Sequence, residues 1–90
     1  MLFEWDPQKA RTNLRKHGVS FDDAATVFLD SLSLTGADPD HSENEDRFVT
    51  FGLPSSGRLL AVSFTERDDR IRIISARRAT RSERELYEEG

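Results

Sequence analysis

Three segments of mixed polar and apolar residues, Arg47 to Gly52, Arg58 to Thr65 and Arg70 to Ser75, follow one another with almost nothing between them. The first break is Leu53-Pro54-Ser55-Ser56-Gly57 and the second is the tight turn Arg67-Asp68-Asp69. Proline, glycine, serine and aspartate in such positions punctuate strands. Connections this short return a strand antiparallel beside its predecessor, because a parallel neighbour needs a crossover of about a dozen residues or more. The middle of the chain is therefore constrained to an antiparallel meander. Leu32 and Leu34, alternating with Ser31, Ser33 and Thr35, add a fourth strand-like stretch before a polar loop from Gly36 to Asp46.

Upstream the period is different. Leu2 to Trp5 reads as a short strand, and Asp6-Pro7 as a helix start, an N-cap acceptor followed by proline at the first helical position. That helix is predicted to run to about His17 and stop at Gly18, with Ala10 and Leu14 as its buried stripe. Ser20-Phe21-Asp22-Asp23 opens a second helix, and Phe21, Ala24, Ala25 and Phe28 mark one apolar face ending near Asp30. Thr80-Arg81-Ser82-Glu83 is a capping box for a terminal helix that carries Leu86 and Tyr87. The order is strand, two helices, about four antiparallel strands and one helix, an α+β class. Both N-terminal helices are expected on one sheet face, leaving the other partly open for function.

Ninety residues without repeat or linker suit one domain, spanning 1–90, with a thin core. There is no cysteine, which removes disulfide scaffolds and thiolate zinc sites. No apolar run approaches the roughly 20 residues of a membrane span, and the N-terminus lacks a signal-peptide layout, so a cytoplasmic location is expected. The net charge of −4 argues against a polyanion ligand only on average. Lys9, Arg11, Arg15 and Lys16 cluster without an acid among them, and Arg70, Arg72, Arg77, Arg78, Arg81 and Arg84 cluster against Glu83 alone. Local field governs polyanion binding more than the sum does.

Arg70-Ile71-Arg72-Ile73 places both arginines on one strand face and both isoleucines on the other. With Arg67, Arg77 and Arg78, the hairpin carries guanidinium groups that repel one another unless an anion or a partner's carboxylates meet them. A phosphate-binding surface is the expectation, with a solvated outer face as the simpler alternative. Arg15, Lys16 and His17 in the last turn of the first helix also complement its dipole, whereas Lys9 near the start does not. RNA cleavage needs no metal where a base takes the 2′-hydroxyl proton, an acid protonates the leaving oxygen and cations hold the phosphate. Histidine suits both proton transfers, and His17 and His41 are the only two. Structural roles for both stay open, as does a divalent-cation loop at Asp38-Pro39-Asp40-His41-Ser42-Glu43, which matches no established metal motif. Glycine-rich phosphate loops, nucleophile elbows and His-Glu-x-x-His helices are absent.

The same segments resemble the BrnT toxin family, a branch of the RelE/ParE-type toxins. The resemblance rests on Phe3-Glu4-Trp5-Asp6 with Lys9, Asn13-Leu14 leading into Lys16-His17-Gly18-Val19-Ser20-Phe21, and Ala24 to Phe28. It continues through Asp40-His41-Ser42, Glu45 to Arg47, Gly57-Arg58-Leu59-Leu60, Thr65-Glu66-Arg67 and Arg70 to Arg77, nearly the whole chain. It implies a RelE-like α+β fold and a metal-independent endoribonuclease that inhibits translation. It also implies a BrnA-type ribbon-helix-helix antitoxin in a two-plus-two assembly, in which the toxin is co-repressor and DNA is touched only by the antitoxin. The residues that carry the expectation are His17, Arg47, Arg67 and Arg77 for catalysis, and Lys9, Arg70, Arg72 and Arg78 for RNA phosphate. Glu66 is a candidate base or an arginine's partner, and no metal, cofactor or membrane is expected.

Two other classes compete. One is a non-catalytic binding module whose arginine face holds an acidic partner. The other is a DNA-binding repressor, disfavoured because no basic recognition helix follows a helix-turn signature.

Overall fold

The computed structural model describes residues 1–38 and 46–90. The strands are β1 (Leu2–Glu4), β2 (Leu34–Ala37), β3 (Arg47–Gly52), β4 (Leu60–Arg67) and β5 (Arg70–Arg78). The helices are α1 (Pro7–His17), α2 (Phe21–Ala25), which tightens into a 3₁₀ turn over Thr26–Leu29, and α3 (Arg81–Glu89). His41 and the proposed cation loop from Pro39 onward lie outside the described residues. No helix among the described residues is long and apolar enough to cross a membrane.

The helix punctuation works as the sequence dictates. Asp6 accepts from the Gln8 N–H at 2.8 Å, and Gly18 takes a left-handed φ of 70° while its N–H bonds the Leu14 carbonyl at 2.8 Å. Ser20 caps α2 through the Asp23 N–H at 3.0 Å, and Thr80 and Glu83 close the capping box of α3. The second helix is shorter than its apolar stripe suggests. Thr26 donates its hydroxyl to the Asp23 carbonyl at 2.6 Å and receives the Ser55 N–H at 2.8 Å, which competes with regular α-helical bonding at that point. The stripe itself is kept, since Phe21, Ala24 and Val27 are buried and Ala25 and Phe28 pack against them.

The meander β2-β3-β4-β5 is antiparallel, as the short turns require. The full sheet is mixed. Its order is β1-β5-β4-β3-β2, with β1 parallel to β5 and Leu2, Phe3 and Glu4 opposite Arg70, Ile71 and Arg72. Reasoning from turns cannot find this pair, because β1 is followed by helices and returns to the sheet only through the last strand. β2 also extends through Gly36 and Ala37, into what reads in sequence as loop. β4 begins at Leu60 and not at Arg58, since Gly57, at φ 94°, still belongs to the turn.

α1 and α2 cover one sheet face, where Leu60, Val62, Ile73 and Ala76 meet Val19, Phe21, Ala24 and Val27. Phe3, Phe28, Phe64 and Phe48 form a continuous line of rings with centroids 5.3, 4.9 and 5.6 Å apart, and Trp5 meets Phe21 edge-on at 5.9 Å. Gly52 lets the 3₁₀ turn approach, since a Cβ there would fall 2.7 Å from Val27 Cγ1.

The buried side chain of α1 is not the expected leucine. Leu14 is 52% exposed, while Asn13 is buried at 6%. β1 ends at Glu4 opposite Arg72, so from Ile73 onward β5 is paired with β4 on one side and has no strand on the other. Asn13 takes that place. Its Nδ2 donates to the Ala76 carbonyl at 2.8 Å and to the Val19 carbonyl at 2.9 Å, while its Oδ1 accepts the Ala76 N–H at 3.0 Å. Replacing it strands three buried backbone groups, each expensive to leave unmade. Asn13→Leu is expected to lose about 3 kcal/mol in urea unfolding, despite the better helix propensity of leucine. Asn13→Asp is expected to lose at least as much at neutral pH, because a carboxylate faces two carbonyl oxygens, and to recover partly when protonated.

Candidate nucleic-acid interface

The register assigns side chains to faces. β4 runs without interruption, so Ala61, Ser63, Thr65 and Arg67 share the face away from α1 and α2. Directly opposite them on β5 are Arg77, Ser75, Arg72 and Arg70, and on β3 Phe51, Val49 and Arg47 face Ala61, Ser63 and Thr65. Strict alternation along β5 would have sent Arg77 to the opposite side from Arg72. A bulge at Ile74, where the pairing jumps from Ser63–Ser75 to Phe64–Ile73, resets the phase. It gathers Arg70, Arg72 and Arg77 on one surface.

One row across the sheet reads Arg47, Thr65, Arg72, Glu4, and the next reads Arg67, Arg70, Leu2. With strands about 4.8 Å apart, Arg47 and Arg72 flank Thr65 at roughly 10 Å backbone separation. Between them the floor is small, made of Ser63, Thr65 and Ser75, with Thr65 pinned by its hydroxyl to the Asp46 carbonyl at 2.7 Å. The far end of the face is closed by α3. Glu83 meets Arg77 on β5, and Gly90 lies against the Leu34 side chain on β2, so the helix crosses the row Arg77, Ala61, Phe51, Leu34.

Two acids that sequence reasoning missed enter this face. Glu4 accepts from Arg72 Nη1 at 2.8 Å and from Arg70 Nη1 at 3.5 Å. The Arg72 hydrogen bond, ahead of the weaker one from Arg70, holds the Glu4 carboxyl below its usual pKa. Glu83 grips Arg77 with both oxygens, at 2.7 and 2.9 Å, and also accepts the Thr80 N–H at 2.8 Å. The Arg77 guanidinium holds the Glu83 carboxyl at about 2, and Glu83 in turn raises Arg77. Guanidinium groups that look unopposed in sequence are thus met by carboxylates of the same chain. Glu83 was visible as half of a capping box, but its reach to Arg77 depends on where α3 docks.

The remaining candidates separate. Lys9 and His17 line a cleft of about 250 Å³ between α1 and the free edge of β5, with Lys16, Ile74 and Ser75. Ser75 is common to this cleft and the arginine face, so the two adjoin at the bulge. His17 is half-buried there. Arg78 pairs with Leu60 and is not brought onto the arginine face, because the bulge that turns Arg77 toward it turns Arg78 away. Glu66 is exposed, sits opposite Ile71 on the other face, and forms no ion pair among the described residues.

The Glu83 carboxyl gives a pH test. Its folded pKa lies below its unfolded 4.5, so its stabilisation is complete above that value and is lost as pH falls toward about 2. Arg77 remains charged throughout this window. Because Arg77 is 43% exposed, solvent screening reduces the contribution to about 1–2 kcal/mol. Urea unfolding of Glu83→Gln is expected to show that deficit at about pH 6 and a smaller one at about pH 3.

No protein of curated function matches the chain in sequence. The crystal structure of the Brucella abortus ribonuclease toxin BrnT, at 1.1 Å resolution, superposes with a TM-score of 0.67 and 26% identity, covering 90% of this chain and all of that one. Residues 5–83 match the family model described as the ribonuclease toxin BrnT of type II toxin–antitoxin systems. That span takes in α1, the whole meander and the capping box of α3, and the chain belongs to the BrnT family of type II ribonuclease toxins.

Proposed function

We propose that this chain is a cytoplasmic endoribonuclease that cleaves RNA without a metal ion and so inhibits translation. In this reading it is neutralised by a BrnA-type antitoxin, with which it acts as co-repressor in a two-plus-two complex. The observation that carries the RNA reading is the common face of Arg47, Arg67, Arg70, Arg72 and Arg77 around a floor of Ser63, Thr65 and Ser75. Guanidinium groups suit phosphate because they donate several hydrogen bonds in a planar fork. A floor of small hydroxyl side chains leaves room for a sugar-phosphate backbone between them.

In the proposed reaction a 2′-hydroxyl loses its proton as its oxygen bonds the adjacent phosphorus. The bond from phosphorus to the 5′-oxygen then breaks, and that oxygen takes up a proton. Arg47, Arg67 and Arg77 stabilise the charge that develops on the phosphoryl oxygens. Arg70, Arg72 and Lys9 hold the flanking backbone. His17, the one described histidine, serves proton transfer from the adjoining cleft, because an imidazole can both accept and donate a proton.

A second reading has a specific observation behind it. Arg70, Arg72 and Arg77 already hold carboxylates, so the face also fits the acidic side chains of a partner without any cutting. RNA cleavage by the purified chain in EDTA separates the two. The wild type is expected to cut, the Arg67→Ala/Arg77→Ala variant to lose at least about 100-fold, and His17→Gln to lose a similar factor. Intact RNA beside a folded wild-type sample would sink free-standing catalysis and favour the partner-binding reading.

A further inference from the structure

The chain carries a second concentration of positive charge that the arginine face does not use. Arg58 before β4, Arg78 at the end of β5 and Arg84 on α3 line a cleft of about 440 Å³. All three are exposed, and among the described residues none of them forms an ion pair. This contrasts with Arg70, Arg72 and Arg77, each of which holds a carboxylate. Arg58 and Arg78 also line a second cleft, of about 350 Å³, that runs toward α1. Because both clefts share these two arginines, they form one groove running from α1 to α3.

The groove is apolar as well as basic, and its two acids are Glu88 on α3 and Asp23, whose carboxylate accepts from the Ser56 hydroxyl at 2.7 Å. Leu53, 42% exposed, lines one end and Leu14, 52% exposed, the other. Leu14 is the residue that α1 turns outward when Asn13 takes the buried position, so its exposure is built into the fold. A strand of nucleic acid would want ring platforms for its bases. Here the one ring is Tyr87, whose hydroxyl is fixed to Asp30 Oδ2 at 2.7 Å. Leucines at both ends of an arginine ridge instead complement a peptide with apolar side chains on one side and carboxylates on the other.

We infer that this groove docks an acidic, amphipathic segment of the protein antitoxin. The inference rests on membership of a type II toxin family, and it stands whether or not the chain cuts RNA. Its occupant lies along Arg58, Arg78 and Arg84, apart from the face assigned to RNA. Neutralisation then works by covering α3 and its approach, and RNA contacts need not be mimicked.

The test titrates the chain with its cognate antitoxin and, separately, with a single-stranded RNA oligonucleotide, for wild type, Arg58→Glu/Arg84→Glu and Leu53→Asp. Thermal unfolding verifies that each variant is folded, and all changes are at exposed positions. The charge-reversal variant is expected to bind the antitoxin at least about tenfold more weakly, with the deficit narrowing at high salt. Leu53→Asp is expected to weaken it as well, without that narrowing, while RNA affinity stays unchanged in both. Antitoxin affinity within about threefold of wild type in both variants, under 1 kcal/mol, overturns the proposal. So does a loss confined to the RNA titration, which would make the groove an RNA surface. Failure of the ribonuclease reading shows up differently, as uncut RNA with the wild type, and leaves the antitoxin titration intact.

Discussion

The structure depends on the side-chain amide of Asn13. A sheet whose last strand is nine residues long and whose first is three leaves most of one edge without a backbone partner. An unpaired edge inside a folded chain is costly, because each buried N–H or C=O that loses water must find a replacement. One amide supplies both a donor and an acceptor to Ala76, and its second N–H holds the Val19 carbonyl just past the end of α1. The same group therefore fixes the rotation of α1, the path of the chain into α2 and the edge of β5. It also explains why the apolar stripe of α1 is thin: the helix is oriented by hydrogen bonds as much as by burial.

The arginine face depends on a different irregularity in the same strand. Without the bulge at Ile74, Arg77 would point toward the helices and Arg78 would join the arginine face. The extra residue sits where β5 lacks a strand neighbour on its outer edge and where the cleft of Lys9 and His17 opens. The free edge, the bulge and the junction between the two basic regions are thus one feature of the topology.

Local chemistry made much of this legible. Asp6-Pro7 and Gly18 bracket α1, Thr80 and Glu83 start α3, and the turns at 53–57 and 67–69 separate the strands as their residue types require. Each of these signals acts over a few residues. What escaped the sequence is non-local: the parallel pairing of Leu2–Glu4 with Arg70–Arg72, the burial of Asn13 in place of Leu14, and the carboxylates of Glu4 and Glu83 reaching arginines. Glu4 lies 68 residues before Arg72, and no spacing rule joins them. Of the site, the arginines were legible by type and cluster. Their division into a sheet face and a separate groove followed only from the bulge.

Internal carboxylates on a face proposed to bind phosphate look at first like competition. The donor inventory argues otherwise. A guanidinium has five N–H groups, and Arg77 commits three of them, two to Glu83 and one to the Arg78 carbonyl. Two remain, on a plane whose orientation is now fixed by a bidentate grip. Arg72 commits one N–H to Glu4. Free arginine side chains of like charge on one sheet would splay into solvent, each with about 2 kcal/mol of rotamer entropy to lose on binding. Glu4 and Glu83 remove part of that loss in advance and cancel part of the mutual repulsion, at the cost of a weaker long-range field. With a net charge of −4, the chain has little long-range field beyond its local arginine clusters to give up. If the face meets phosphate, it does so through preorganised donors at short range, which suits a protein of net acidic charge.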